Sequence, residues 1–206
     1  MNPLPTGGYL AEATSMERAM APDPKVLSAD DVLDMPLPDG VEGYELVDGQ
    51  PVPVTAASFE HGRLIVEVAY LLRKHLDEHA LAGAVVSDAG SVLGLPRDPE
   101  RMRAADVAYI RQSKVEAIAD PERLFRGVPD LVIEIDLASA KKPGGQQRVL
   151  DYLEGGVPLV WVIEPYTRTA MAYRPDGTAR LVRTDEVLDA EEVVPGFRLP
   201  LGALFG

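Results

Sequence analysis

The 206-residue chain has no cysteine, which excludes a disulfide scaffold, a thiol nucleophile, an iron–sulfur cluster and a cysteine-ligated zinc, and suits a reducing compartment. It also lacks any apolar run near the roughly 20 residues needed to cross a bilayer. Its opening, MNPLPTGGYLAEATSMERAM, has neither the basic start nor the unbroken apolar stretch of a secretory signal. A cytoplasmic protein without a membrane partner is expected. Basic residues are scarce: 20 Lys and Arg face 33 Asp and Glu, for a formal net charge of -13. That balance argues against non-specific binding of a polyphosphate, which is driven by Lys and Arg displacing counterions. The scarcity is uneven. Residues 1–50 hold ten acids and two bases and residues 185–206 five and one, so the middle is nearly neutral, with 18 acids against 17 bases. There Arg97, Arg101, Arg103, Arg111, Lys114, Arg123 and Arg126 surround one stretch, and Lys141, Lys142 and Arg148 a second. On charge alone these read as solvated faces.

Several catalytic motifs are missing too. Gly94-Leu95-Pro96 and Pro143-Gly144-Gly145 have neither the Gly-Lys-Ser/Thr ending nor the GxGxxG spacing of a phosphate loop. No G-x-S-x-G elbow exists. His75 and His79 stand four apart, but His-Leu-Asp-Glu-His lacks the Glu that follows the first His in a zinc protease, so they read as a surface or core pair. Acyl transfer and nucleotide hydrolysis are thereby demoted.

What is present is an ordinary globular composition, 46% hydrophobic and 26% charged, in a length that suits one domain. Residues 1–26, rich in Pro, Gly, Ala and Met, read as a mobile arm, and residues 27–206 as the domain. Ser28 caps a short helix predicted to reach Met35. Tyr44–Val47, Asp48-Gly49 and Gln50–Val54 form a strand, a two-residue turn and a strand, with Pro51 and Pro53 placing the second strand at an edge. Ser58 opens a long helix whose Leu64, Ile65, Val68, Leu71, Leu72, His75 and Leu76 share one face, ending near Ala82-Gly83. Short strands follow at about 84–87, 91–94 and 106–110. A strand at 130–136, a helix from Gln146 to about Glu154 and a fully apolar strand at 157–163 suggest a parallel pair joined by a crossover. A hairpin at 169–182 and the tail segments Val187-Leu188 and Phe197–Leu199 complete an α/β layout.

Alternation along the strand from Asp130 puts Leu131, Ile133, Ile135 and Leu137 on one face and Asp130, Val132, Glu134 and Asp136 on the other. Glu134 and Asp136 there would repel each other and lose hydration unless a cation sits between them, and a hard divalent ion such as Mg²⁺ or Mn²⁺ is the economical one. The plainer reading is that Glu134 ends the buried part of the strand and points into solvent. Asp106, at the start of another strand, gains meaning only if it faces Glu134. His61, at a helix start, could reach a neighbouring site.

The order of segments is distinctive: Tyr44-Glu45-Leu46-Val47-Asp48-Gly49, a helix opening around His61, Arg103-Ala104-Ala105-Asp106-Val107-Ala108-Tyr109, Val128-Pro129-Asp130-Leu131-Val132-Ile133-Glu134-Ile135, Tyr152-Leu153-Glu154-Gly155-Gly156-Val157, Val160-Trp161-Val162-Ile163-Glu164-Pro165 and Pro195-Gly196-Phe197. Over about residues 28–206 it resembles the Uma-two-type family of restriction-endonuclease-like proteins, within the PD-(D/E)XK nuclease superfamily. The resemblance implies a mixed central sheet flanked by helices, with the hairpin N-terminal to it. It also implies hydrolysis of DNA phosphodiester bonds, with Mg²⁺ (or Mn²⁺) held by Asp106 and Glu134, and an assisting Lys. Glu45 matches a recurring family acid and approaches the site from the hairpin or faces solvent beside an Arg. The chain departs from the pattern where Ala105-Asp106 replaces Pro-Asp and Leu137-Ala138-Ser139 replaces Ser-Pro-Ser. The family Lys position, four residues before Tyr152, is Arg148. An Arg keeps the charge and can hold a phosphate but does not transfer protons; Lys141 or Lys142 could substitute.

Three functions compete: a metal-dependent endonuclease, a non-catalytic binding or interaction module on the same fold, and a metal-dependent hydrolase of a small phosphate ester. The sequence leaves the oligomeric state open, although an edge strand beside Pro51 and Pro53 would make a homodimer unsurprising.

Overall fold

A computed structural model describes residues 26–136 and 145–206. Ser28 caps α1 (Ala29–Leu33), its hydroxyl accepting from the Asp31 amide while the Asp31 carboxylate accepts from the Ser28 amide, a reciprocal capping box. The helix ends at Leu33, two residues short of the predicted Met35, just ahead of Pro36. The strands β1 (Val41–Val47) and β2 (Gln50–Thr55) pair antiparallel around Asp48 and Gly49, both at positive φ (50° and 69°), as a primed two-residue turn requires.

After Ser58, α2 (Phe59–Glu78) buries Leu64, Ile65, Val68, Leu72 and Leu76. It stops at Glu78 rather than near Gly83: His79 is the C-cap and Ala80 turns to φ 51°. Next come β3 (Gly83–Val86), β4 (Gly90–Val92), β5 (Met102–Ala104), β6 (Val107–Arg111), the short helix α3 (Gln112–Val115) and β7 (Leu131–Ile135). In the sequence β5 shows only as a basic stretch, because its alternation places Arg where a water-facing strand would also place it. The remaining elements are α4 (Gly145–Gly155), β8 (Leu159–Glu164), β9 (Thr169–Tyr173), β10 (Ala179–Val182), β11 (Val187–Asp189), β12 (Arg198–Pro200) and a closing 3₁₀ turn at Leu201–Phe205.

Six strands form the central mixed sheet in the order β10-β9-β8-β7-β6-β3. Only β7 and β8 run parallel, as the α4 crossover between them demands; the other neighbours are antiparallel. One face carries Leu131, Ile133, Ile135, Leu159, Trp161 and Ile163 against α2 and the C-terminal segment. The other carries Ala108, Val132 and Val160 against Val149 and Tyr152 of α4. A second sheet, β2-β1-β5-β4, packs Leu46, Val92 and Met102 against α1. Its outer strand β2 is the edge that Pro51 and Pro53 predicted. This is the expected α/β architecture, a mixed central sheet flanked by helices and preceded by a hairpin. No helix among the described residues is long and apolar enough to cross a membrane.

Candidate active site

Strand register decides which acids meet. Val107 of β6 pairs with Ile133 of β7 in an antiparallel ladder, so one step further Asp106 stands level with Glu134. The Asp106 carboxylate is fixed by two donors on Oδ2: the Ile135 amide at 2.6 Å and His61 Nε2 at 3.1 Å. His61 comes from the first turns of α2, whose start is set by the Ser58 cap. Asp106 thus faces Glu134, the condition on which its meaning depended, and His61 does reach the site.

Glu134 does not point into solvent. Its side chain is 12% exposed and sits against Arg148. Arg148, on α4, donates through Nη2 to Glu134 Oε1 at 2.9 Å and through Nε to Oε2 at 3.2 Å, while the Tyr152 hydroxyl donates to Oε1 at 2.8 Å. The other arm of the guanidinium reaches Glu45 Oε1 at 2.5 Å, and Nη2 also donates to the Ala104 carbonyl at 2.7 Å. Burial pushes the Glu134 carboxyl up to about 7, with Arg148 opposing and Asp106 reinforcing the rise. Burial also raises the Tyr152 hydroxyl far above its usual range, and the Glu134 carboxylate raises it further. Burial works against the charge on Arg148, but Glu134, Tyr152 and Glu45 together hold it firmly cationic.

Glu45 is delivered to the same cluster by the hairpin. It is 4% exposed, so its partner Args are buried with it rather than set in solvent. Its carboxylate accepts from Arg103 Nη1 at 2.7 Å, from the Ala104 amide at 3.1 Å and from Arg148. Arg103 continues to Asp151 Oδ2 through Nε at 2.8 Å and Nη2 at 2.5 Å, and Arg101 reaches the same oxygen through Nη1 at 2.8 Å. Gln147 supports Asp151 Oδ1 at 2.9 Å. Arg101 and Arg103 are each 5% exposed, which overturns their reading as part of a solvated face. Alternation puts Met102 into the apolar core beside α1 and turns both arginines towards α4, where Asp151 neutralises them. Asp151 itself escaped the sequence reading. The available signal was the pair Arg101-x-Arg103, which demands an acid wherever that strand face is covered.

The remaining sequence-predicted residues fall as follows. Asp136 continues β7, its amide donating to the Ile163 carbonyl at 2.8 Å. It is not gathered with Asp106 and Glu134 into a three-ligand set, since no group of three or more His, Asp or Glu among the described residues is placed to hold a metal. Lys141 and Lys142 lie outside the described residues. His75 and His79 stack at 4.1 Å, and His75 Nε2 bonds the Pro195 carbonyl at 2.9 Å, a structural pair as predicted.

The donor chemistry is that of a hard divalent ion. Asp106 and Glu134 offer hard anionic oxygens from adjacent strands, too few for a closed tetrahedral zinc site. Mg²⁺ is ordinarily held by one or two carboxylates, several waters and the phosphate it serves, so a two-carboxylate site fits it. Arg103 and Arg101 are neutralised by Asp151, Glu45, Asp98 and Asp48, and Arg148 by Glu45 and Glu134. No Arg or Lys pairs with Asp106 among the described residues.

The sequence model of the Uma2 family, described as a putative restriction endonuclease, matches residues 29–202. No curated protein matches the chain. Among solved structures, a putative nuclease of DUF820 from Anabaena variabilis superposes with a TM-score of 0.71 at 17% identity, covering 87% of this chain and 97% of its own. At that identity the likeness speaks for the fold.

Proposed function

The chain belongs to the Uma2 family of restriction-endonuclease-like proteins, and from that premise we propose that it is a Mg²⁺-dependent endonuclease hydrolysing DNA phosphodiester bonds at the Asp106–Glu134 site. The observation that carries the proposal is the meeting of those two carboxylates from adjacent strands, with Asp106 oriented by Ile135 and His61. Asp106 and Glu134 would hold the ion, which lowers the pKa of an attacking water and offsets charge developing on the phosphate. The chain's own residues do the rest. The Ile135 amide and His61 fix the rotamer of Asp106, so that a ligand meets a preset oxygen rather than a rotating one. Arg148 is a permanent cation beside the reacting centre. Its fork can transfer from a carboxylate to a phosphate oxygen, binding substrate and stabilising added charge without moving a proton. Glu45 and the Ala104 carbonyl hold that fork in place, while Tyr152 bonds Glu134.

A second reading has its own observation. The bonds from Arg148 and Tyr152 already engage both oxygens of Glu134. If the guanidinium keeps that place against a metal, the fold persists as a binding or interaction module without hydrolysis. A supercoiled-plasmid nicking assay in Mg²⁺ and in Mn²⁺, on wild type, Asp106→Ala and Arg148→Lys, separates the two. Cutting by wild type that Asp106→Ala abolishes is the expected outcome. Cutting by Arg148→Lys alone would show that Arg148 silences an intact site. Silence from all three would leave the binding module.

A further inference from the structure

The outer surface of α2 has the chemistry of an interface rather than of a solvated helix. Phe59 is 87% exposed, Val66 69% and Tyr70 58%, although the opposite side of the same helix is fully packed into the core. Between Phe59 and Val66 lies a groove floored by Gly62 and walled by Arg63, Glu67 and Ala57. A side chain added at Gly62 would meet nothing within 4 Å, so no packing inside the chain calls for glycine there. Glycine nevertheless costs a helix more than any residue but proline. A bare position on an exposed helix face is useful when something outside must approach the backbone closely.

The sequence of this face says what fits. Gly62, Val66 and Tyr70 form one i, i+4 row, the ridge by which helices most commonly pack, crossing at about -50°. The row is complementary to its own reverse. Val66 is the midpoint, the notch at Gly62 lies four residues to one side, and the protruding Tyr70 lies four to the other. A two-fold axis at Val66 sets each Tyr70 into the other copy's Gly62 notch, roughly 6 Å from the axis along the helix, and puts Val66 against itself. The charges agree with this arrangement. In the parallel row, Arg63 and Glu67 flank the axis, so Arg63 of one copy faces Glu67 of the other. Among the described residues Glu67 acts on Arg63 of its own chain without a close ion pair, whereas Arg63 is bonded to Glu60 and to the Leu204 carbonyl. The alternative meeting place, the β2 edge, is blunted by Pro51 and Pro53, which have no N–H to offer a pairing strand.

We infer that a second copy of this chain docks on the outer face of α2, forming an antiparallel two-fold dimer centred on Val66. The inference is independent of catalysis at Asp106 and Glu134. It is tested by sedimentation equilibrium of the full chain up to about 100 µM, because assembly depends on concentration. Wild type is expected at twice the 22.2 kDa of one chain. Gly62→Leu, whose Cβ would meet nothing in the monomer within 4 Å, and Val66→Glu are both expected at the single-chain mass with unchanged far-ultraviolet circular dichroism. Since the chain has no cysteine, Val66→Cys supplies a register test: a residue on the axis meets itself and forms an intermolecular disulfide on mild oxidation. A wild-type mass of one chain throughout overturns the inference. So does a doubled mass that survives both Gly62→Leu and Val66→Glu, or a dimer in which Val66→Cys does not cross-link.

Discussion

The two sides of the central sheet are closed by different physics. Towards α2 the cover is hydrocarbon: Leu64, Val68, Leu72 and Leu76 meet Ile133, Trp161 and Ile163. Towards α4 the apolar patch around Val132, Val160 and Tyr152 gives way to a buried seam of ions joining Arg101, Arg103, Asp151, Glu45, Arg148 and Glu134. The single buried side-chain N or O atom without a partner among the described residues, Trp161 Nε1, is on the apolar side. Hydrophobic contact is non-directional, so the α2 side tolerates an imperfect fit. A buried charge has no such latitude, because its desolvation must be met by partners in the right place. The seam is therefore complete, and it leads into the carboxylates of the candidate site.

The largest stability loss is expected where completeness is broken. Asp151→Ala leaves Arg101 and Arg103 buried without their shared acceptor and should lower the free energy of unfolding in urea by about 3–5 kcal/mol. Replacing all three residues by apolar ones of similar volume should return most of that loss, since a buried ion group contributes little net stability over hydrocarbon. A triple variant no more stable than Asp151→Ala would mean that the seam does more than neutralise itself. On the other side Leu72→Ala, which removes a fully buried side chain from α2, should cost about 3 kcal/mol through lost transfer energy and a residual cavity. Because that cost involves no charge, it should be the same in low and high salt. A salt-dependent loss at Leu72 would erase the contrast between the two sides.

The same contrast governs what could be read from the sequence. The α2 side is announced by period: the 3.6-residue face of α2, the alternation in β7 and the apolar run of β8 each specify their neighbours locally. The hairpin, the Ser28 and Ser58 caps, the β2 edge and the parallel β7–β8 pair were legible for the same reason. The seam was not, because its partners lie far apart in the chain. Glu45 and Arg148 are separated by 103 residues and Arg103 and Asp151 by 48, and no local pattern distinguishes a buried Arg from a solvated one. Asp106 and Glu134 stand between these cases. Each was visible as a costly acid on a strand, but their meeting followed from a β6–β7 register that only the fold supplies. The sequence also showed Arg148 as a departure from the family Lys without showing that it bridges Glu45 to Glu134.

That departure allows the smallest and most discriminating of the perturbations. Arg148 holds Glu45, Glu134 and the Ala104 carbonyl at once, from three nitrogens of one rigid fork. Lys carries the same charge on one rotatable ammonium of different reach, so it keeps the electrostatic balance of the seam but gives up part of the hydrogen bonding. If neutralisation is what the seam needs, Arg148→Lys should cost only about 1–2 kcal/mol in urea unfolding, the scale of one or two lost bonds. Arg148→Met, of similar length and no charge, should cost about 3–5 kcal/mol, because two buried carboxylates then lose their shared cation. Equal losses in the two variants would mean that the fork's geometry, not its charge, closes the seam. A Lys variant close to wild type in stability would show that the fold itself does not demand Arg at this position, and the reason for Arg would then have to be sought in what the site binds.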